Sequence, residues 1–414
     1  MPRNRLTTTD EVEAINAQFS TPNYSPLPVV ITEGEGIWVR DVDGNKYMDM
    51  LSSYSALNQG HCHPEIVKTM KEQAERLTLT SRAFMNDQLG LFLKDVCQLT
   101  GLDRALPMNS GAEAVETAVK AMRKWGHEVK ELPEEGGEII VANENFHGRT
   151  VTIISFSSEP HYREGFGPFT PGFKRVDFNN ADQLREAITD ETIGFLVEPM
   201  QGEAGIRIPD EGYLSEVEEI CREHDILLAL DEIQTGLGRT GEMFAADHED
   251  VTPDLYILGK ALSGGTYPVS AVVGRDEIMS LFTPGTHGST YGGSPLAAAV
   301  SRTALRILQD ENLPENAKEL GPYFRDRLRD LDADPVKDVR GKGLFIGVEI
   351  KETYGQARPY AKKLLEHGVL GKDTHGTVLR FAPPLIISRE QIDDAVRRIE
   401  PVLKDFRPDG ISAS

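Results

Sequence analysis

Cysteine is scarce. Cys62, Cys97 and Cys221 are three in 414 residues, odd in number and irregular in spacing, which excludes a disulfide framework and leads one to expect a reducing, cytoplasmic setting. No apolar run is long enough to span a membrane. The opening stretch MPRNRLTTTDEVEA has two arginines but turns acidic at once and has no apolar core, so it reads as neither a secretory signal nor a transit peptide. Basic residues are in deficit. Lys and Arg number 44 against 66 Asp and Glu, and the formal net charge of −22 disfavours nucleic acid or an anionic membrane as partner. The excess acid is spread along the chain, as on a well-hydrated surface. Repeats and low-complexity segments are absent.

What is present is alternation. The chain is too long for one small core, so a large domain with a smaller one is expected. Short apolar runs at 138–142, 151–156, 194–198, 226–230, 255–258 and 269–273 read as strands, with helical stretches such as 181–188 and 213–224 between them. That order predicts an α/β domain with a mainly parallel sheet flanked by helices. Such sheets bind ligands beyond the carboxyl ends of their strands. Most polar motifs fall there: Phe146-His147-Gly148-Arg149, EPMQGE at 198–203, Asp231-Glu232-Ile233-Gln234, and Lys260. Downstream, helical patterns at 295–309, 313–331, 357–367 and 389–406 surround strand-like runs at 336–340, 343–350 and 378–381, a second unit of α+β type. Residues 407–414 are expected to fray. Upstream, Val12, Ile15 and Phe19 predict an amphipathic helix within the first 20 residues. Asp43-Gly44 marks a hairpin, and Pro64 opens a helix running to 77. The expected divisions are 1–54 packing with the small domain, 55–293 as the large cofactor-binding domain, and 294–414 as the small domain.

Two stretches carry chemistry. Lys260 follows an apolar run and a glycine and precedes small residues. Taken alone, it reads more readily as a surface lysine beside a loop. An amine with its stem among apolar neighbours would instead have a lowered pKa and suit Schiff-base chemistry with an aldehyde cofactor. Asp231, ending another apolar run, tips the reading toward the second. The rival for Asp231-Glu232 is a magnesium-binding pair, but no glycine-rich loop ending in Lys-Ser/Thr accompanies it. Ser110 with Glu113 forms a capping-box pattern, and the helix it starts offers free amides to a phosphate. His61-Cys62-His63 invites a metal reading. No second ligand pair follows at a structural-zinc spacing, and no metal site is expected.

In order along residues 20 to 405 stand NYSPLP, LSSYSALNQGHCHP, NSGAEAVETA, FHGRT, EPMQGEAG, DEIQTGLGRTG, LGKALSGGTYPVSA, HGSTYGGSPL, VRGKGL and LRFAPPL. With these motifs the chain resembles the class III aminotransferases, pyridoxal 5′-phosphate enzymes of fold type I, and among them those acting on ornithine. The resemblance implies that Lys260 holds the cofactor and then moves the proton. Asp231 keeps the pyridine nitrogen protonated, Gln234 approaches the ring hydroxyl, and Phe146 stacks on the ring. The phosphate rests on Gly111 and Ala112 with Ser110 nearby, completed by Ser289 and Thr290 of the partner subunit, so a homodimer or larger homo-oligomer with shared active sites is implied. Arg149 clamps the α-carboxylate of L-ornithine with help from Tyr24, and Tyr54 discriminates among ω-amines. Glu203 pairs with Arg380 until 2-oxoglutarate enters as acceptor. His147 follows the FHGR pattern of neighbouring families rather than the tryptophan of animal ornithine enzymes. Acetylornithine or another ω-amino acid as substrate, an aminomutase needing no acceptor, and a silent binding protein on the same fold stand as alternatives.

Overall fold

In the computed structural model, which describes residues 8–408, the chain opens with the helix Thr9–Phe19, capped by the Thr8 hydroxyl, which accepts from the Glu11 amide at 3.2 Å. Most of the tail expected to fray lies outside the described residues. The helix forms as its spacing predicts, but it buries nothing: Ile15 and Phe19 are 42% and 76% exposed. β1 (Ile31–Glu35), β2 (Trp38–Asp41) and β3 (Lys46–Asp49) then form an antiparallel meander. Its tight turn closes on the Asp41 carboxylate, which accepts from the amides of Asp43 and Asn45 at 3.0 and 2.8 Å.

The central sheet has seven strands: β4 (Arg104–Met108), β5 (Glu138–Ala142), β6 (Phe173–Val176), β7 (Thr192–Val197), β8 (Leu227–Asp231), β9 (Leu255–Leu258) and β10 (Ser270–Gly274). Their spatial order is β4-β10-β9-β8-β7-β5-β6. β6, β5, β7, β8 and β9 are mutually parallel, and β10 runs against both of its neighbours. Every residue of β7, β8 and β9 is buried. Strands covered on both faces read as continuous apolar runs, which is why the sequence marks them. The two edge strands left weaker traces. Pro107 interrupts β4, as an edge allows, and Lys174 and Arg175 dilute β6. The run at 151–156 is a helix rather than a strand: Val151–Ser155 forms one short turn burying Ile153 and Ile154. An apolar run that short carries no period to separate the two states.

The carboxyl-terminal unit is a four-stranded antiparallel sheet. β11 (Val336–Lys342) pairs with β12 (Phe345–Ile350), and β13 (Val369–Leu370) lies outside it. β14 (Lys372–Thr374) and β15 (Val378–Phe381) complete the order β11-β12-β15-β14. β13 instead pairs in parallel with β3, joining the amino-terminal meander to this end of the chain. The helices Leu313–Arg329, Ala357–Glu366 and Arg389–Lys404 supply the apolar faces that pack against these strands. His61 and His63 do not share a partner. They meet separate carboxylates, Asp49 at 2.7 Å and Glu311 at 3.1 Å.

One close approach fixes how the helix Leu313–Arg329 seats on this unit. A Cβ at Gly321 would stand 2.1 Å from the carbonyl oxygen of Gly343. Alanine normally favours a helix interior over glycine by about 1 kcal/mol. Here backbone meets backbone and neither yields, so Gly321→Ala is expected to destabilise by about 3 kcal/mol or more. A thermal melt of the variant at or above the parent temperature would show that the contact does not constrain the fold.

Candidate active site

Parallel strands end on the same side of a sheet, and here those ends carry the candidate side chains. β5 leads to Phe146, His147 and Arg149. β7 leads to Glu198 and Glu203, β8 ends on Asp231, and β9 leads to Lys260. Asp231 is the register partner of Ile257, three residues before Lys260, so acid and amine come from neighbouring strands. β4 leads to the helix Gly111–Glu128. The Ser110 hydroxyl accepts from the Glu113 amide, and the Glu113 carboxylate accepts from the Ser110 amide, a complete capping box. The amides of Gly111 and Ala112 are left without intrahelical acceptors. The helix start is closely fitted here: a Cβ at Gly111 would sit 3.0 Å from the Cδ1 of Ile233, the residue after the Asp231-Glu232 pair.

Asp231 is held by two donors. Its Oδ1 accepts from the Ile233 amide at 3.0 Å, and its Oδ2 lies 2.7 Å from His147 Nδ1. A carboxylate is an acceptor, so the proton of that contact belongs to His147 Nδ1. The ring of His147 is fully buried. Burial pulls its pKa down, but the hydrogen bond and charge of Asp231, then the charge of Glu198, outweigh burial and hold it above the ordinary value. Glu198 is also buried. Desolvation pushes its carboxyl up to about 7 against the pull of His147, and its Oε2 accepts from the Phe146 amide at 3.0 Å.

Lys260 follows β9 in a left-handed conformation, φ 45°. Burial lowers its pKa to about 8, and Arg380 lowers it too, opposed by Asp231, Glu203 and Glu198. The side chain of Arg380 is 1% exposed. Its Nη1 donates to Glu203 Oε1 at 2.8 Å, while its Nε and Nη2 are buried without partners. Tyr54 approaches Arg380 from a one-turn segment, Ser52–Ser55, all four of whose residues have positive φ. Across the cleft, the Arg149 guanidinium lies 4.3 Å from the centroid of Tyr162 and 5.6 Å from that of Phe146. A cavity of about 280 Å³ opens between Phe146, Arg149, Tyr162, Glu203 and Lys372.

The structure thus brings together Lys260, Asp231, Gln234, Phe146, Arg149, Glu203, Arg380 and Tyr54. Ser289 accepts from Asn109 Nδ2 at 2.7 Å, beside the helix start, and Thr290 is exposed. Tyr24 is 76% exposed and does not line the cavity of the same chain. Four residues escaped the sequence reading of the site. His147 and Glu198 sit inside its motifs, and their adjacency to Phe146 and to a strand end was the available signal. Tyr162 lies in the one-turn helix Pro160–Arg163, which no motif marks. Lys372 lies on a three-residue strand that no pattern announces.

An amine of lowered pKa, an acid on the adjacent strand and a free helix start, set on this sheet order, define a fold type I pyridoxal 5′-phosphate enzyme. The family model for class-III aminotransferases matches residues 19–403. An ornithine aminotransferase from an Exiguobacterium species is 56% identical over 398 residues, 96% of this chain and 98% of that protein, and one from Staphylococcus carnosus is 55% identical over 397 residues, 96% of this chain and 100% of that protein. Among solved structures, the ornithine aminotransferase of Toxoplasma gondii superposes with a TM-score of 0.95 at 46% identity, covering 96% of this chain and 95% of that one. An acetylornithine aminotransferase from Elizabethkingia anophelis superposes with a TM-score of 0.90 at 49% identity, covering 97% and 100%. The chain belongs to the class-III aminotransferases, whose cofactor is pyridoxal 5′-phosphate. Its residues fit that group: Gln234 Oε1 is buried without a partner, the helix amides are free, and the amine of Lys260 is part-neutral near physiological pH.

The lowered pKa has a sign that can be read. Below about 8 the Lys260 amine is an ammonium and unreactive toward aldehydes; above it the free amine dominates. Labelling of the apoprotein at Lys260 by pyridoxal 5′-phosphate and borohydride, mapped by peptide mass, is therefore expected to rise as pH climbs through about 8. A midpoint near the ordinary lysine value of 10.5 would contradict the burial argument.

Proposed function

We propose that the protein transfers the δ-amino group of L-ornithine to 2-oxoglutarate, yielding glutamate 5-semialdehyde, which cyclises to pyrroline-5-carboxylate, and glutamate. The observation that carries this reading is the Glu203–Arg380 ion pair at 2.8 Å, set in the same cleft as Arg149, which has no ion pair among the described residues. A carboxylate entering the cleft finds Arg149 open and Arg380 covered. A substrate anchored only by its far carboxylate presents its terminal amine to the chemistry, as ornithine does. A dicarboxylate such as 2-oxoglutarate needs both arginines, so Glu203 must yield Arg380 to it. The names of the relatives support the same substrate.

Pyridoxal 5′-phosphate, when bound, supplies an aldehyde to carry the amino group and a ring to delocalise charge. The chain's residues do the rest. Lys260 holds the cofactor and then moves a proton at its Nζ, where a lowered pKa makes both uptake and release accessible. Asp231, oriented by His147, keeps a proton on the pyridine nitrogen. Gln234 offers its unpaired oxygen to the ring hydroxyl, and Phe146 covers the ring. Gly111, Ala112 and Ser110 hold the phosphate. Ser289 and Thr290 of the partner subunit complete that cup in a homodimer with shared sites. In support, Phe84 and Met85 are 72% and 100% exposed, and Asn86, next to them, donates to the Gly293 carbonyl in the turn following Thr290. Tyr24 assists at the substrate carboxylate and Tyr54 at Arg380. Residues 1–54 act with the small unit, 294–414, on the large domain, 55–293. A cytoplasmic location fits the three free cysteines, and no helix of the described residues is long and apolar enough to cross a membrane.

The similarity to an acetylornithine aminotransferase makes N-acetylornithine the competing substrate. Rapid mixing of the pyridoxal form with ornithine, N-acetylornithine, 4-aminobutyrate or lysine is expected to bleach the cofactor's visible absorbance fastest with ornithine. Faster bleaching by N-acetylornithine would reassign the substrate. Glu203→Ala, by uncovering Arg380, is expected to lower the ornithine-to-glutamate preference by about tenfold or more.

A further inference from the structure

Lys372 stands directly opposite Arg380 in the antiparallel pairing of β14 with β15. Residues so paired send their side chains from the same face of the sheet. On the other flank of Arg380 the register partner is Gly347, which contributes no side chain. Two cations therefore stand side by side, an arrangement that opposes folding unless an anion answers both. Lys372 is half-buried. Its ammonium lies 5.0 Å from the centroid of Tyr54, the ring that Arg380 approaches to 5.6 Å. Among the described residues it makes no ion pair within 4 Å, although it lines the same cavity as Glu203. The loop carrying Glu203 is tied to β14 itself, where the Thr374 hydroxyl donates to the Glu203 carbonyl at 2.7 Å.

Glu203 has one strong partner, and only a 3.5 Å contact from the Gln234 amide besides. Its side chain is 21% exposed. If Arg380 turns to an incoming carboxylate, Glu203 is left as a poorly solvated anion beside a doubly charged substrate, and that cost falls on the dicarboxylate step alone. Burial pushes the Glu203 carboxyl up, yet Arg380 and then Lys372 and Lys260 hold it below the ordinary range, so Lys372 already acts on it from where it stands.

We propose that Lys372 takes over Glu203 when Arg380 leaves it, as a positioning residue that makes the dicarboxylate half of the reaction accessible. The inference rests on the two-substrate reading given above. The test is a double-mutant cycle of Lys372→Gln and Glu203→Gln. Single-turnover rates are followed for ornithine with the pyridoxal form and for 2-oxoglutarate with the amino form. Equilibrium binding of glutarate, an unreactive dicarboxylate, is measured by calorimetry. Lys372→Gln is expected to slow the 2-oxoglutarate step on the order of tenfold more than the ornithine step, and to weaken glutarate binding by a similar factor. Both losses are expected to vanish in the Glu203→Gln background, where a neutral amide needs no counter-charge. Losses that persist there would mean Lys372 touches the substrate carboxylate directly, and equal slowing of both steps would mean a structural role; either result overturns the hand-off. A parent enzyme that ornithine does not bleach would sink the substrate reading instead, and the glutarate cycle would still decide the role of Lys372.

Discussion

A buried amine poised between its charged and neutral forms constrains everything around it. Lys260 meets that constraint by balance. Desolvation and Arg380 favour the free amine, while Asp231, Glu203 and Glu198 favour the ammonium, and the result is a pKa of about 8. Removing the acids would leave a lysine too reluctant to take a proton; removing Arg380 would leave one too reluctant to give it up. The site is thus a set of mutually adjusted charges, and no member can be assigned its role alone.

The frame that holds these charges is itself polar. Arg239 is wholly buried, and burial draws its guanidinium down to about 9. It donates to the carbonyls of Leu344 and Pro383 at 2.9 and 2.6 Å and to Asn58 Oδ1 at 2.5 Å. One side chain of the DEIQTGLGR stretch therefore clasps the loop at Asn58, the β11–β12 turn and the loop after β15. Removing such a group strands its partners, so burial makes the clasp obligatory. It lies eight residues from Asp231 in the chain, and one of its acceptors, Pro383, lies three from Arg380, so Asp231 and Arg380 share a support.

What could be read in the sequence divides along physical lines. Lys260 and Asp231 were legible because one follows and the other ends a strand buried on both faces, where polarity changes abruptly, whereas Gln234 was reached through resemblance. The capping box announced the helix start at Ser110. Pairings across the fold were another matter. Glu203 and Arg380 are 177 residues apart and His147 and Asp231 are 84 apart. The first was reached through resemblance and the second was not reached. Nothing local in FHGR says that the histidine will face an acid on a strand two places away in the sheet. Lys372 was invisible because its strand is three residues long, and its meaning lies in register with Arg380, which only the folded sheet supplies. The misread run at 151–156 failed for the opposite reason: its apolarity was real, but burial alone does not choose between helix and strand.

Tyr54 shows how far the fold goes to place a single ring. Ser52, Ser53, Tyr54 and Ser55 all have φ between 48° and 71°, a conformation costing about 1–2 kcal/mol per residue for side chains other than glycine. Such strain persists only where the surroundings over-determine it. Here Asp49 accepts from the amides of Leu51 and Ser52, both at 2.9 Å, and the Ala382 amide donates to the Met50 carbonyl at 2.6 Å. The segment is pinned from its own strand and from the end of β15, two residues beyond Arg380. The backbone stretches that carry ring and guanidinium are therefore tied to each other. Exchanging one substrate for another in such a frame calls for side chains to change partners rather than for the chain to change course, and a second cation beside Arg380 is what makes a change of partners affordable.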